Sequence, residues 1–270
     1  MRDAARSLSV RRYGPNGGAP VVVLHGGPGA PGGARLLAEA LADPFRVLEP
    51  WQRWSSYVPL TVAQHVADLA FVIEAEIPAS RPALVGESWG AMLALAFAAA
   101  HPDRVAALAL VGCGTFDRSA RARLEATLEE RTTKELAQAL AELAARVPDE
   151  NERARRAHAL SDRLYTYERA VASPQTEFDR KGHLESWNDM LRLQDTVYPA
   201  AFARIPCPVL MLHGSYDPHP GDLIRDGLAK HLPQLEYVEL DRCGHAPWIE
   251  RHARDRFLSL LRAWLARNLG

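Results

Sequence analysis

Cysteine is scarce in this chain. The three present, Cys113, Cys207 and Cys243, are odd in number and far apart, which leaves no disulfide framework and no C-x-x-C metal spacing and makes a reducing compartment the expectation. An excess of one charge is missing too. With 32 basic against 33 acidic residues and a formal net charge of -1, no bulk field favours nucleic acid or an anionic membrane as a partner. Long apolar runs are absent. The longest, Ala91 to Ala100, falls far short of a bilayer span, and Met1 to Arg6 contain no apolar h-region, so a cytosolic protein without a membrane partner is expected. Ten histidines occur, but none pairs as H-x-x-x-H or joins a carboxylate cluster along the chain, and neither a metal nor another cofactor is expected. No internal repeat or low-complexity tract is present.

What remains is an ordinary globular composition, 47% hydrophobic and 24% charged, which supports a large core and argues against disorder. Val21 to Leu24 is a continuous, β-branched run of the kind found in strands covered on both faces. Ala34 to Leu41 reads as a helix and Phe45 to Leu48 as a further strand. Thr61 is placed to cap a helix in which Val62, Val66, Leu69 and Ile73 recur at helical spacing. Ala83 to Val85 and Val105 to Val111 are two more buried strands, with the apolar helix Ala91 to Ala100 between them. This alternation is how a mostly parallel sheet with helices on both faces is written.

The texture changes after that. From residue 116 to residue 203 the chain shows long helical patterns and no convincing strand, divided by Pro148-Asp149-Glu150 and Ser173-Pro174-Gln175. Sheet pattern resumes at Pro208 to Leu212, continues through a helix over 220–232 and a strand over 235–240, and ends on an amphipathic helix from about His252 to Asn268. The economical reading is one core domain, residues 1–115 and 204–270, with a helical cap, 116–203, inserted over the carboxyl edge of the sheet.

The stretch around which this is organised is Gly86-Glu87-Ser88-Trp89-Gly90, at a strand-to-helix junction. A G-x-S-x-G elbow needs its glycines because the turn is tight, and it presents the serine at the strand end. A serine hydroxyl is a poor nucleophile without a base in reach, and the base needs an acceptor to fix its tautomer. Asp217 and His245 each follow a predicted strand, so Ser88, Asp217 and His245 form a candidate nucleophile, acid and base in that chain order. His25-Gly26-Gly27-Pro28-Gly29 follows the first buried strand; it suits an oxyanion loop, with one backbone N–H from Gly27 and one from Trp89, and His25 anchoring it. Trp51 and Trp54 are candidates for an apolar pocket wall or for ordinary loop packing. Glu87 has two readings: it holds a neighbouring loop, or it binds a substrate amine.

Together, the motifs His25-Gly26-Gly27-Pro28-Gly29, Gly86-Glu87-Ser88-Trp89-Gly90, His213-Gly214-Ser215-Tyr216-Asp217 and Cys243-Gly244-His245-Ala246-Pro247-Trp248 resemble the α/β-hydrolase superfamily, nearest its proline iminopeptidase branch. One segment departs from that branch, with Glu49-Pro50-Trp51-Gln52-Arg53-Trp54-Ser55 standing where it usually carries Asp-Gln-Arg-Gly and a further glycine. The resemblance implies a serine hydrolase acting on a small molecule or short peptide with an N-terminal proline or similar residue. The alternatives are a carboxylesterase or lactonase on small acyl compounds, and a ligand-binding protein that has abandoned catalysis. An iminopeptidase must bind a cationic amine, and a desolvated cation needs carboxylate partners. Glu168, Glu177 and Glu185, in the second half of the insertion, are the candidates for that role.

Overall fold

A computed structural model of the chain describes residues 8–172 and 176–270. Among the described residues, seven strands form one sheet: β1 (Val10–Tyr13), β2 (Pro20–Leu24), β3 (Arg46–Pro50), β4 (Ala83–Glu87), β5 (Ala107–Val111), β6 (Val209–Gly214) and β7 (Leu235–Leu240). Their spatial order is β1-β3-β2-β4-β5-β6-β7. Only β1 runs antiparallel, pairing Val10 with Pro50 and Tyr13 with Val47; every other pair is parallel. Residues 1–7 and the Ser173-Pro174-Gln175 loop lie outside the described residues.

Strand alternation divides the core into two layers. In β2, Val22 and Leu24 face one side with α2 (Val62–Glu76) and α3 (Trp89–Ala100). Val21 and Val23 face the other with α1 (Arg35–Leu41) and α9 (Arg254–Leu269). All four are essentially inaccessible, which explains why β2 is a solid apolar run rather than an alternating one. Burying each such side chain contributes about 1.5–3 kcal/mol. Helix α3 is apolar on every side because it is enclosed on every side, with Trp89 through Ala99 buried. Helix α2 starts where the sequence indicates. Thr61 Oγ1 accepts from the Gln64 N–H at 3.2 Å and Gln64 Oε1 accepts from the Thr61 N–H at 3.1 Å, a reciprocal cap.

Between β5 and β6 come α4 (Arg118–Arg131), α5 (Lys134–Arg146), α6 (Glu150–Ser161) and α7 (Arg180–Thr196), with no strand of the sheet among the described residues. After β6, α8 (Gly221–Ala229) ends earlier than the sequence pattern suggests. The N–H groups of His231 and Leu232 both turn back to the Leu228 carbonyl, at 2.9 Å each, and close the helix there.

This topology chooses the place for a site. The chain leaves β2 toward α1 on one face and leaves the adjacent β4 toward α3 on the other, so a crevice opens between their carboxyl ends. The His25–Gly29 loop and the Ser88 elbow occupy those two ends.

Candidate active site

The elbow is built by close approach. A Cβ on Gly86 would stand 2.3 Å from the Gly90 carbonyl oxygen, and one on Gly90 would stand 2.2 Å from that of Leu24. Both positions therefore exclude any side chain, and α3 is pressed against the end of β2. Ser88 between them has φ 53° and ψ -116°, a backbone region that costs a non-glycine residue of the order of 1–3 kcal/mol. Its N–H donates to the Val111 carbonyl at 2.8 Å. Its own carbonyl accepts the Ala91 and Met92 N–H groups at 3.0 and 3.3 Å. The side chain is left half-buried at the sheet edge.

Asp217 and His245 are brought together from the ends of β6 and β7. His245 Nδ1–H donates to Asp217 Oδ2 at 2.7 Å, which commits the tautomer and leaves Nε2 as the free base of the neutral ring. The ring also lies against Gly112, where an added Cβ would be 3.0 Å from Nδ1. Gly112 follows Val111, whose carbonyl holds the Ser88 N–H, so His245 and Ser88 share one neighbourhood. Burial alone would push the Asp217 carboxyl up; His245, His213 and His219 reverse that and hold it well below the usual carboxylate range. Burial alone would pull His245 down; Asp217 and then Glu87 outweigh it, and its affinity for a proton is raised.

Along the chain no histidine joins a carboxylate cluster, but folding makes one. Asp217 Oδ1 accepts from both the backbone N–H and the Nδ1–H of His219, at 3.0 and 2.9 Å, and His213 Nε2 lies 3.3 Å from Oδ2. One ligand atom each from Asp217, His219 and His245 falls within 4.8 Å of the others. Both imidazoles already direct their Nδ1–H groups at Asp217, and the His219 and His245 rings are stacked 4.6 Å apart at 20°.

The glycine loop is anchored by His25, as its setting in the sequence suggests. His25 Nδ1–H donates to the Gly26 carbonyl at 2.9 Å, Nε2 accepts the Gln52 N–H at 3.2 Å, and burial pulls the imidazole down to about 4. Gln52 in turn accepts the Trp89 indole N–H at 2.8 Å. Gly27 has φ +50°. The Trp89 backbone N–H is among the first-turn donors that α3 itself leaves unpaired. A Cβ on Gly26 would meet both Glu87 and Ser88 Cβ within 3.1 to 3.2 Å, so this loop passes directly over the elbow. Glu87 Oε2 faces the Gly26 N–H at 3.4 Å, and burial raises the Glu87 carboxyl while His245 and that N–H oppose the rise.

Of the other predicted binding residues, Trp51 and Trp54 flank Gln52, which bonds both His25 and Trp89, and the glutamates have partners or exposure of their own. Glu168 pairs at the surface with Arg251 and with His252 Nε2 at 2.8 Å. Glu177 is exposed ahead of α7. Glu185 accepts the Leu60 N–H at 2.9 Å and has Lys181 at 3.7 Å. Trp51 is covered by the Arg11 guanidinium at 4.7 Å, while Trp54 is half-buried beside Ser55. A cavity of about 400 Å³ lies elsewhere, among Phe116, Asp117, Leu223, Ile224, Lys230 and His231, and includes none of Ser88, Asp217 or His245.

Two buried carboxylates escape a motif reading. Glu250 accepts the N–H groups of Gly244, Tyr167 and Glu168 at 2.9, 2.8 and 2.8 Å, and the His245 N–H donates to the Tyr165 carbonyl at 2.8 Å. Asp179 caps α7 through the Gly182 N–H at 3.0 Å, accepts the Ser55 hydroxyl at 2.9 Å, and donates its own N–H to the Gly29 carbonyl at 2.7 Å. A second serine–histidine pair, Ser186 Oγ and His65 Nε2 at 2.8 Å, joins α7 to α2. With Ser186 1% and His65 2% accessible, no substrate reaches it, and burial pulls His65 down to about 4.

The family model for the alpha/beta hydrolase fold matches residues 19–251. The chain belongs to that family. Within it, this α/β-hydrolase is 35% identical to a proline iminopeptidase of Neisseria gonorrhoeae over 102 residues, covering 35% of this chain and 33% of that enzyme. The alignment thus spans about a third of the iminopeptidase's length. It is 28% identical to a 2-hydroxy-6-oxononadienedioate/2-hydroxy-6-oxononatrienedioate hydrolase of Dechloromonas aromatica over 260 residues, 88% of this chain and 83% of that one. Among solved structures, a thermophilic esterase from Thermogutta terrifontis superposes with a TM-score of 0.65 at 22% identity, covering 97% of this chain and 94% of that one. An enol-lactonase from Burkholderia xenovorans does so with 0.63 at 23%, covering 96% of each. These two likenesses concern the fold. No helix among the described residues of the hydrolase is long and apolar enough to cross a membrane.

Proposed function

We propose that the protein is a serine hydrolase that cleaves a small ester or amide through an acyl-enzyme. The observation that carries this is the His245–Asp217 hydrogen bond of 2.7 Å beside a serine held at φ 53°. Ser88 Oγ attacks the substrate carbonyl while His245 Nε2 takes its proton. The oxyanion faces the N–H groups of Gly27 and Trp89. As the bond to the leaving group breaks, His245 returns the proton to it, and water then repeats the sequence on the acyl-enzyme to release the acid and free Ser88. A fluorophosphonate probe tests this directly: wild type is expected to be labelled at Ser88 and Ser88→Ala not. No labelling of folded wild-type protein would leave the fold as a ligand-binding module instead.

Ester or lactone cleavage is the reading the site supports best, because Glu168 and Glu185 are already held by protein partners. The iminopeptidase reading draws on the local 35% identity to the Neisseria enzyme, and Glu87, beside Ser88, is the carboxylate that would meet the amine. A free prolyl arylamide compared with its N-acetylated form, alongside short p-nitrophenyl esters, separates the two. Cleavage of the free amine far faster than the acetylated form supports the peptidase; strong esterase activity without arylamide cleavage supports the esterase.

A further inference from the structure

The Asp217 side chain is completely enclosed; Oδ2 takes His245 at 2.7 Å, with His213 Nε2 further off at 3.3 Å, while His219 is the imidazole on Oδ1, at 2.9 Å. A carboxylate oxygen only accepts, so both Nδ1 atoms carry hydrogen. His219 cannot swing freely, because its backbone N–H is bound to the same Oδ1 at 3.0 Å and its carbonyl lies 2.9 Å from His213 Nε2. Its ring lies flat on that of His245, 4.6 Å away at 20°, with Tyr165 against both. We propose that His219 is a positioning residue for the base, fixing the plane of the His245 ring by stacking and moderating the pull of Asp217 on the His245 proton by holding its other oxygen.

The physical argument is a competition for one negative charge. A donor on Oδ1 stabilises the anion and so reduces the benefit Asp217 gains from a cationic His245. Two stacked imidazoles do not both take a proton at low cost, and burial pulls His219 below the ordinary imidazole value in spite of Asp217. It therefore serves as a neutral donor in the range where His245 titrates. The groups facing this pair are Asp217, His213 and Glu87 from the core, with Tyr165 and His158 from the inserted segment. None of these replaces the Nδ1–H on Oδ1. With it gone, the carboxylate keeps His245 protonated to higher pH.

This inference rests on reading Ser88, Asp217 and His245 as a triad, so its test does not need turnover. The His245 ring is titrated by NMR in protein labelled at histidine, in wild type and in three variants. The backbone N–H on Oδ1 remains in all three; His219→Phe keeps the stack and loses the side-chain donor, His219→Ala loses both, and His219→Asn keeps a side-chain N–H near the Nδ1 position and loses the stack. Raising of the His245 pKa by about half a unit to one unit in Phe and Ala, with Asn near wild type, is expected. In the ester assay the acid limb of kcat/KM moves with it, whereas Asn lowers kcat several-fold without moving the limb. An unshifted His245 in both Phe and Ala, or the same shift in Asn as in Phe, overturns the proposal. Failure of the fluorophosphonate to label Ser88 while the NMR shifts persist would refute the hydrolase reading and leave the His219 coupling standing.

Discussion

Replacing Glu250 by Gln is the sharpest probe of how the base is held. The carboxylate is 1% accessible, with Oε1 taking the Gly244 and Tyr167 N–H groups and Oε2 taking that of Glu168. A glutamine of the same shape supplies one oxygen and one NH2, so at least one backbone N–H faces another donor in a buried place. The other bonds lose their charge assistance. A hydrogen bond to a charged group contributes about 1 kcal/mol more than a neutral one, and an unpaired buried donor costs about 1–3 kcal/mol, which together give a destabilisation of about 2–4 kcal/mol. For a chain of this size that lowers Tm by roughly 5–10 °C. Because Gly244 precedes His245, the base is also less well placed, and kcat on a p-nitrophenyl ester should fall about tenfold, equivalent to about 1.4 kcal/mol of barrier. Thermal unfolding followed by circular dichroism, with steady-state kinetics below the transition, measures both. A Tm within about 1 °C of wild type together with unchanged kcat would refute the idea that this carboxylate holds the loop.

Gly90→Ala should fail to give a stable fold or lose about 3 kcal/mol or more, since the new Cβ would stand 2.2 Å from the Leu24 carbonyl oxygen; denaturant midpoints measure it, and a change under about 0.5 kcal/mol would contradict the close approach. In the proposed mechanism the base is neutral His245, whose proton affinity is raised, so kcat/KM should be lost as pH falls through a value above that of ordinary histidine; a limb below the ordinary value on a chemistry-limited substrate would contradict that direction. His25 and His65, both pulled down to about 4, stay neutral in the fold while the unfolded chain takes up protons. Stability they provide above the ordinary histidine value is therefore lost as pH falls toward about 4. Each contributes a slope of up to about 1.4 kcal/mol per pH unit. Urea unfolding of His65→Gln should show that slope reduced against wild type across this window, and an identical slope would exclude His65 as its source.

The positions of the central strands were legible in the sequence because each is a short apolar run followed closely by a glycine motif, as at Val21 to Leu24 before His25 and Gly26. The Thr61 cap was legible for a similar reason, being a local pattern closed within one turn. The elbow at Ser88 and the approach of Asp217 to His245 follow from strand ends, which a parallel sheet brings to one edge. Glu250, Asp179 and His219 were not legible in the same way. Each works through backbone groups or rings that are distant in the chain: Glu250 reaches Tyr167 across 83 positions and Asp179 reaches Ser55 across 124. His219 stood two residues from Asp217, but only the fold lays its ring on His245. Glu168 and Glu185 illustrate the converse, since charge between β5 and β6 meets local cations and backbone donors as readily as a ligand.

The inserted helices have a further consequence for anyone wishing to exchange them. Tyr165 supplies the acceptor for the His245 N–H, while the Asp179 N–H and His183 Nδ1 hold the carbonyls of Gly29 and Pro28, at 2.8, 2.7 and 3.0 Å. The base and the glycine loop are thus each fastened to the insertion rather than to the sheet alone. A chimera carrying the cap of another protein would need to restore one backbone acceptor and two donors at these points, whatever the shape of its pocket. Deleting the segment between β5 and β6 would untie His245 and the glycine loop at once.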